Sequence, residues 1–177
     1  MADGTQSDQT GAAIDSREFR NAMGMFATGV TVVAVQYDDM VRGMTANAFL
    51  SLSLHPAMVL ICIDESASMH PVFQVAESFS VNILTEDQQH LSRSFAARGE
   101  KQEPMGGHPY RTGELGSPIL DGVLAWAECR VEQRYPGGDH LIVVGRVHDF
   151  GIEQPEGAPL VFYGGRYHSL GEAQEQP

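Results

Sequence analysis

Cysteine is scarce in this chain: Cys62 and Cys129 are its only two, far apart and each set in an apolar segment. That excludes a disulfide framework and a CxxC metal or redox pair, and leaves both thiols as expected core residues. Positive charge is scarce too. Acidic residues outnumber basic ones by 23 to 11, for a formal charge of −12, and no Lys/Arg cluster stands out. Nucleic acid is thereby excluded as a partner, because a phosphate backbone needs a concentrated basic patch. A small anionic ligand stays open, since backbone N–H groups and a few local cations suffice for one.

Targeting and membrane signals are absent as well. The opening "MADGTQSDQTGAAIDS" has neither the basic start nor the apolar centre of a signal peptide, and no apolar run reaches transmembrane length. A cytoplasmic protein with no membrane partner is expected. Residues 1–14 and the tail 171–177 have the polar, Gly/Pro-containing make-up of disordered ends, leaving residues 15–170 as one domain. No GxGxxG follows a strand, and there is no GxxxxGK[ST], no HExxH and no paired Cys/His cluster. A Rossmann dinucleotide site, P-loop phosphoryl transfer and zinc catalysis lose ground together. The 7 histidines include no pair at ligand spacing within one element, so no metal site is expected.

With 42% apolar residues the chain can build a full core without staples. Asp15 or Ser16 is placed to cap a first helix, with Glu18 completing a capping box and Phe19, Ala22, Met23 and Phe26 at helical spacing, ending near Gly29. "GVTVVAVQY", the turn "DDM" and "VRGMTANAFLSLS" predict a β-hairpin, and "AMVLICID" and "FSVNIL" predict strands. "SASMHPVFQVAE" predicts a short helix with Ser68 as its cap. In the next helix, Thr85 caps with Gln88 three residues on, and Leu91 and Phe95 share a face. Residues 98–117 form a polar, Gly/Pro-rich excursion, and three more strand segments follow, the first two joined by the tight turn "PGGD". About six or seven strands on short links, with few helices, predict a mainly β, closed or nearly closed antiparallel barrel.

One stretch carries chemistry. In "GMTANAFLSLSLHPAMVLICID" the small polar residues Thr45, Ala46 and Asn47 sit among apolar neighbours, so their backbone can approach a flat heteroaromatic ligand without obstruction. Ser51 and Ser53 alternate with Leu52 and Leu54, putting two hydroxyls on one face of a strand. Ser68 at a helix N-terminus either favours an anion or is an ordinary cap. His140, just after "PGGD", is either a functional group at a strand mouth or a turn-flanking histidine.

"FATGVTVVAV", "GMTANAFLSLSLHPAMVLICID", "FSVNIL", "GSPILDGVLAWAECRV", "GGDHLIVVGRV" and "LVFYGGRYHSL", in this order across roughly residues 15–170, resemble the flavin reductase-like family, the reductase components of two-component flavin-dependent monooxygenases. The resemblance implies a split β-barrel, an antiparallel Greek-key barrel with a few short helices, and a homodimer binding FMN or FAD near the subunit interface. It implies hydride transfer to the flavin from NADH, in some members NADPH, and release of the reduced flavin to a partner monooxygenase. Carried onto this chain, Met44, Thr45, Ala46 and Asn47 line the isoalloxazine ring and Ser51 follows them. Cys62, Ile63 and Asp64 lie near the ribityl chain, and Ser66 and Ser68 hold the phosphate.

Asn82 and Phe95 match positions close to the flavin, although an Asn in a strand also satisfies loop backbone and Phe95 also reads as core. Tyr163 and Arg166 match the pyridine nucleotide or flavin edge, or simply face solvent. His140 matches the histidine beside the nicotinamide, the catalytic candidate. Hydride transfer needs no side-chain nucleophile, only two rings stacked at about 3–3.5 Å, so His140 would orient rather than react. Two departures stand out: His55 and Ala57 flank Pro56 where a Pro-Pro pair is usual, and residues 98–109 are the least family-like. Pyridoxamine phosphate oxidases and non-catalytic flavin-binding modules share the architecture; the former call for a basic phosphate pocket that this acidic chain lacks.

Overall fold

A two-residue link, Asn47–Ala48, governs the architecture. The computed structural model describes residues 14–97 and 104–171. The expected disordered leader, except Ile14, and the expected tail after Gly171 lie outside the described residues, as does the start of the polar excursion. In chain order come α1 (Ser16–Met23), β1 (Thr28–Gly29), β2 (Thr31–Tyr37), β3 (Met40–Ala46), β4 (Phe49–Leu54), β5 (Ala57–Asp64), α2 (His70–Val75) and β6 (Ser78–Ile83). A 3-10 turn, Glu86–Gln88, leads into α3 (Gln89–Ala96); then follow β7 (Tyr110–Thr112), β8 (Pro118–Leu120), β9 (Ala125–Gly137), β10 (His140–Ile152), β11 (Val161–Tyr163) and β12 (Arg166–His168). Seven strands form one antiparallel sheet in the order β3-β2-β6-β9-β10-β5-β4; β1, β11 and β12 form a second sheet, and β7 pairs with β8.

The sequence predicts a closed or nearly closed barrel. Among the described residues no ladder joins β3 to β4, so the hydrogen-bonded sheet is open. It is nevertheless rolled. A flat sheet of seven strands spaced by about 4.8 Å would set its edges roughly 29 Å apart, yet the three residue steps from Ala46 to Phe49 span at most about 11 Å. Curling is the only way both edge strands can share so short a link, and it brings β3 against β5.

Strand β2 is buried over Thr31–Val35 because its alternating side chains serve two cores. Val33 and Val35 join Ala46, Val59, Ile61, Ile63, Phe73 and Phe79; Val32 and Ala34 join Leu84, Leu91, Phe95, Leu120 and Val123. Each fully buried side chain of this size stabilises the fold by about 1.5–3 kcal/mol, and the two cores therefore outweigh any local propensity. The long β9–β10 ribbon turns at Gly138–Asp139, where Gly138 has φ 70°, a conformation open to glycine without strain.

Several local expectations shift. Asp15 is the N-cap of α1, accepting from the N–H groups of Arg17 and Glu18 (both 2.8 Å), but the helix ends at Met23 with Gly24 as C-cap, short of Gly29. The segment expected as one strand, "VRGMTANAFLSLS", breaks at Asn47–Ala48 into the two opposite edges of the sheet. A bulge between Ser51 and Ser53 interrupts their simple alternation, leaving Ser51 exposed and Ser53 half-buried. The Thr85/Gln88 capping box is present. Cys129 is buried and Cys62 half-buried, both as free thiols.

Candidate functional site

The register of β5 against β10 builds one end of the sheet. His140, the first residue of β10, pairs with Asp64, the last of β5, and the ladder continues with Leu141 opposite Ile63 and Ile142 opposite Cys62. The Cys62 N–H donates to the Ala48 carbonyl (3.1 Å), which brings the Asn47–Ala48 link to the same end. Two bonds fix the turns there: the Glu65 N–H donates to the Asp139 carbonyl (3.0 Å), and the Ser66 N–H donates to Asp64 Oδ1 (2.7 Å). Segments from both halves of the chain thus converge on His140, Asp64, Cys62 and Asn47.

His140 is fixed by its neighbour. Its Nδ1 lies 2.7 Å from Asp139 Oδ1, and because a carboxylate only accepts, Nδ1 carries the proton and Nε2 is the ring nitrogen that Asp139 does not engage. Its side chain is 38% exposed, so the imidazole is open to a ligand. Burial pushes the Cys62 thiol above its ordinary range, which keeps it neutral, a lining atom rather than a nucleophile.

The strand β3 meets this end by backbone more than by side chain. Ala46 is buried, Met44 packs against the first core, and the Thr45 hydroxyl donates to the Ser92 carbonyl in α3 (2.6 Å). Ile63 is fully buried and also contributes main chain alone. Asn47 is exposed beside the link. Ser66 and Ser68 are exposed, and Ser66 is engaged through its backbone N–H. Ser68 does not cap α2: the cap position is Met69, with no side-chain bond, and the helix is only six residues long. Ser51 lies on the edge strand β4 opposite Val59.

Other candidates are not gathered here. Asn82 is fully buried and spent: Nδ2 donates to the Val32 carbonyl and Ser80 Oγ (both 3.0 Å), and Oδ1 accepts from the Leu120 N–H (2.8 Å). Phe95 belongs to the second core. Tyr163 and Arg166 pair across β11 and β12, in a different sheet from His140, and the Tyr163 hydroxyl contacts the Met25 sulfur (3.8 Å). Among the described residues no group of three His, Cys, Asp or Glu could hold a metal ion, and no helix is long and apolar enough to cross a membrane. Sequence reading overlooked Asp139, signalled only by its adjacency to His140, and Ser92 and Tyr167, which carry no local signal.

Comparison with known proteins bears on this geometry. A family profile described as "Flavin reductase like domain" matches residues 23–171. The reductase component of 4-hydroxyphenylacetate 3-monooxygenase from Thermus thermophilus is 41% identical over 152 residues, covering 86% of this chain and 95% of that protein. An FMN reductase (NADH), SmoA, from Agrobacterium fabrum is 39% identical over 153 residues, covering 86% and 85%. Among solved structures, the NADH:FAD oxidoreductase SgcE6 of Streptomyces globisporus, in complex with NAD and FAD fragments, superimposes with a TM-score of 0.84 at 35% identity, covering 91% of this chain and 96% of that one.

Proposed function

The chain belongs to the flavin reductase-like family, and from that premise we propose that it is an NADH-dependent flavin reductase whose reduced flavin serves a partner flavin-dependent monooxygenase. The observation that carries the site is the convergence of His140, Asp64, Cys62 and the Asn47–Ala48 link at one end of the rolled sheet. Bound flavin supplies the two-electron acceptor, and the nicotinamide supplies the hydride.

The residues fit such a ligand. Small side chains at Asn47 and Ala48 leave backbone accessible to a flat ring, the half-buried Cys62 adds an apolar wall, and the exposed Ser66 and Ser68 offer hydroxyls to a phosphate. Asp64 and Glu65 beside those serines weaken any grip on phosphate, which suits a flavin that must leave after reduction. His140 orients the nicotinamide through Nε2 while Asp139 holds its tautomer. Asn82, Phe95 and Met44 act from behind, holding strands in place, while Tyr163 and Arg166 stand on a separate hairpin.

The rolled sheet is the family's split barrel in this reading, residues 15–170 are its domain, and the cytoplasm, with its pool of reduced nicotinamide, is its compartment. The functional unit is a homodimer, supported by the leucines that β4 leaves exposed: Leu50 at 54%, Leu52 at 43% and Leu54 at 76%. The deciding experiment follows oxidation of NADH and NADPH by the purified protein with FMN, FAD or no flavin. Rapid flavin-dependent oxidation of NADH is expected. Flavin binding without oxidation would reduce the protein to a binding module, and no binding would dismiss the site.

A further inference from the structure

We infer that Ser92 is a positioning residue, the buried middle of a partly buried chain Thr45–Ser92–Tyr167 that ties the ligand-facing strand β3 to the C-terminal hairpin β11–β12. The inference rests on the flavin reading above and adds to it a determinant of flavin affinity that touches no flavin. Ser92 is fully buried in α3 and bonds in two directions. Its carbonyl accepts from Thr45 Oγ1 (2.6 Å), and its own Oγ lies 2.9 Å from the Tyr167 hydroxyl.

The polarity of the first bond is unambiguous, because a carbonyl only accepts. The Thr45 hydroxyl is therefore directed to the helix α3. Tyr167 is held from two further sides: the Phe162 ring meets it edge-on at 5.4 Å between centroids, and the Arg93 guanidinium lies 5.8 Å over its face. Its hydroxyl is thus aimed at Ser92 by a ring that packing has already fixed. The two bonds use different atoms of Ser92, its carbonyl oxygen and its hydroxyl, so what couples them is the placement of this one buried residue in α3: losing either bond frees that turn of the helix to shift against the other partner. A change at Tyr167 should accordingly be felt at Thr45 and in the Asn47–Ala48 link that follows it.

Tyr167→Phe keeps the ring and its packing and removes only the hydroxyl; Thr45→Val removes the other end at nearly constant shape. Two measurements test the chain. Amide hydrogen exchange on the flavin-free protein reads the coupling itself: Tyr167→Phe is expected to speed exchange about tenfold at residues 44–47 and leave β9 and β10 unchanged, and unaltered exchange at residues 44–47 overturns the inference whether or not flavin is the ligand. Fluorescence titration with FMN and FAD reads the consequence. Each variant is expected to weaken flavin binding about tenfold with KM for NADH little changed, the double variant to be no worse than Thr45→Val alone, and Thr45→Ser to restore affinity.

Unchanged flavin affinity, or single effects that simply multiply in the double variant, would overturn the positioning role even with altered exchange. Failure of the unsubstituted protein to bind any flavin would instead sink the functional reading, and the affinity role with it.

Discussion

At the scale of single residues, His140 is the group whose chemistry is most exposed to test. It opens β10 opposite Asp64, with Nδ1 committed to Asp139. Because it orients the hydride donor and does not hold the flavin, His140→Ala is expected to lower kcat/KM for NADH about tenfold, some 1.4 kcal/mol, while flavin affinity measured by titration stays put. An equal loss of flavin affinity would return the residue to a turn-flanking role. A second residue makes a prediction in pH. The buried Cys129 thiol is pushed up from 9.0 to about 12, by burial first and by the adjacent Glu128 charge second. The unfolded thiol loses its proton near 9.0 and the folded one near 12, so this group's contribution is complete below pH 9 and declines as pH rises toward 12, by up to about one proton's worth of slope. Denaturant titrations across that window should show a shallower decline for Cys129→Ala than for the unsubstituted protein.

At the scale of elements, α1 and β2 stand at opposite extremes. Strand β2 is buried on both faces, whereas α1 buries no residue, and Phe19, Met23 and the following Phe26 are 54%, 56% and 79% exposed. An eight-residue helix with no packed face depends on its cap. Asp15→Ala removes the acceptor of two N–H groups, so α1 is expected to lose amide protection in exchange experiments, at a local cost of about 1 kcal/mol, while the global unfolding midpoint hardly moves. A matching fall in the global midpoint would mean that α1 is part of the cooperative core.

At the scale of the whole molecule, charge and exposed apolar surface lead to two further outcomes. A net charge of −12 opposes every phosphate-bearing ligand that approaches. Raising ionic strength shortens the screening length from about 30 Å to about 8 Å, and KM for NADH should fall roughly twofold or more over that range; a rising KM would reveal a local cationic funnel that dominates the net field. Light scattering should report a dimer, and Leu50→Lys on β4 a monomer. A monomeric unsubstituted protein would leave the β4 leucines without the proposed partner.

Much of this was legible in the chain because it is short-range. The Asp15 cap, the Thr85/Gln88 box, the Gly138–Asp139 turn and the β-branched strand β2 each depend on residues a few positions apart, where backbone geometry and local propensity act directly. The motif strings were equally visible and pointed to the family. Only the tertiary structure decided that "VRGMTANAFLSLS" becomes both edges of one rolled sheet, that His140 pairs with Asp64, that Asn82 spends its amide on the neighbouring strands β2 and β8, and that the Thr45 hydroxyl turns to a carbonyl 47 residues away. Those outcomes are contacts between distant segments. Local propensity carries no record of which segment arrives to accept a bond, and packing around the two cores determines it.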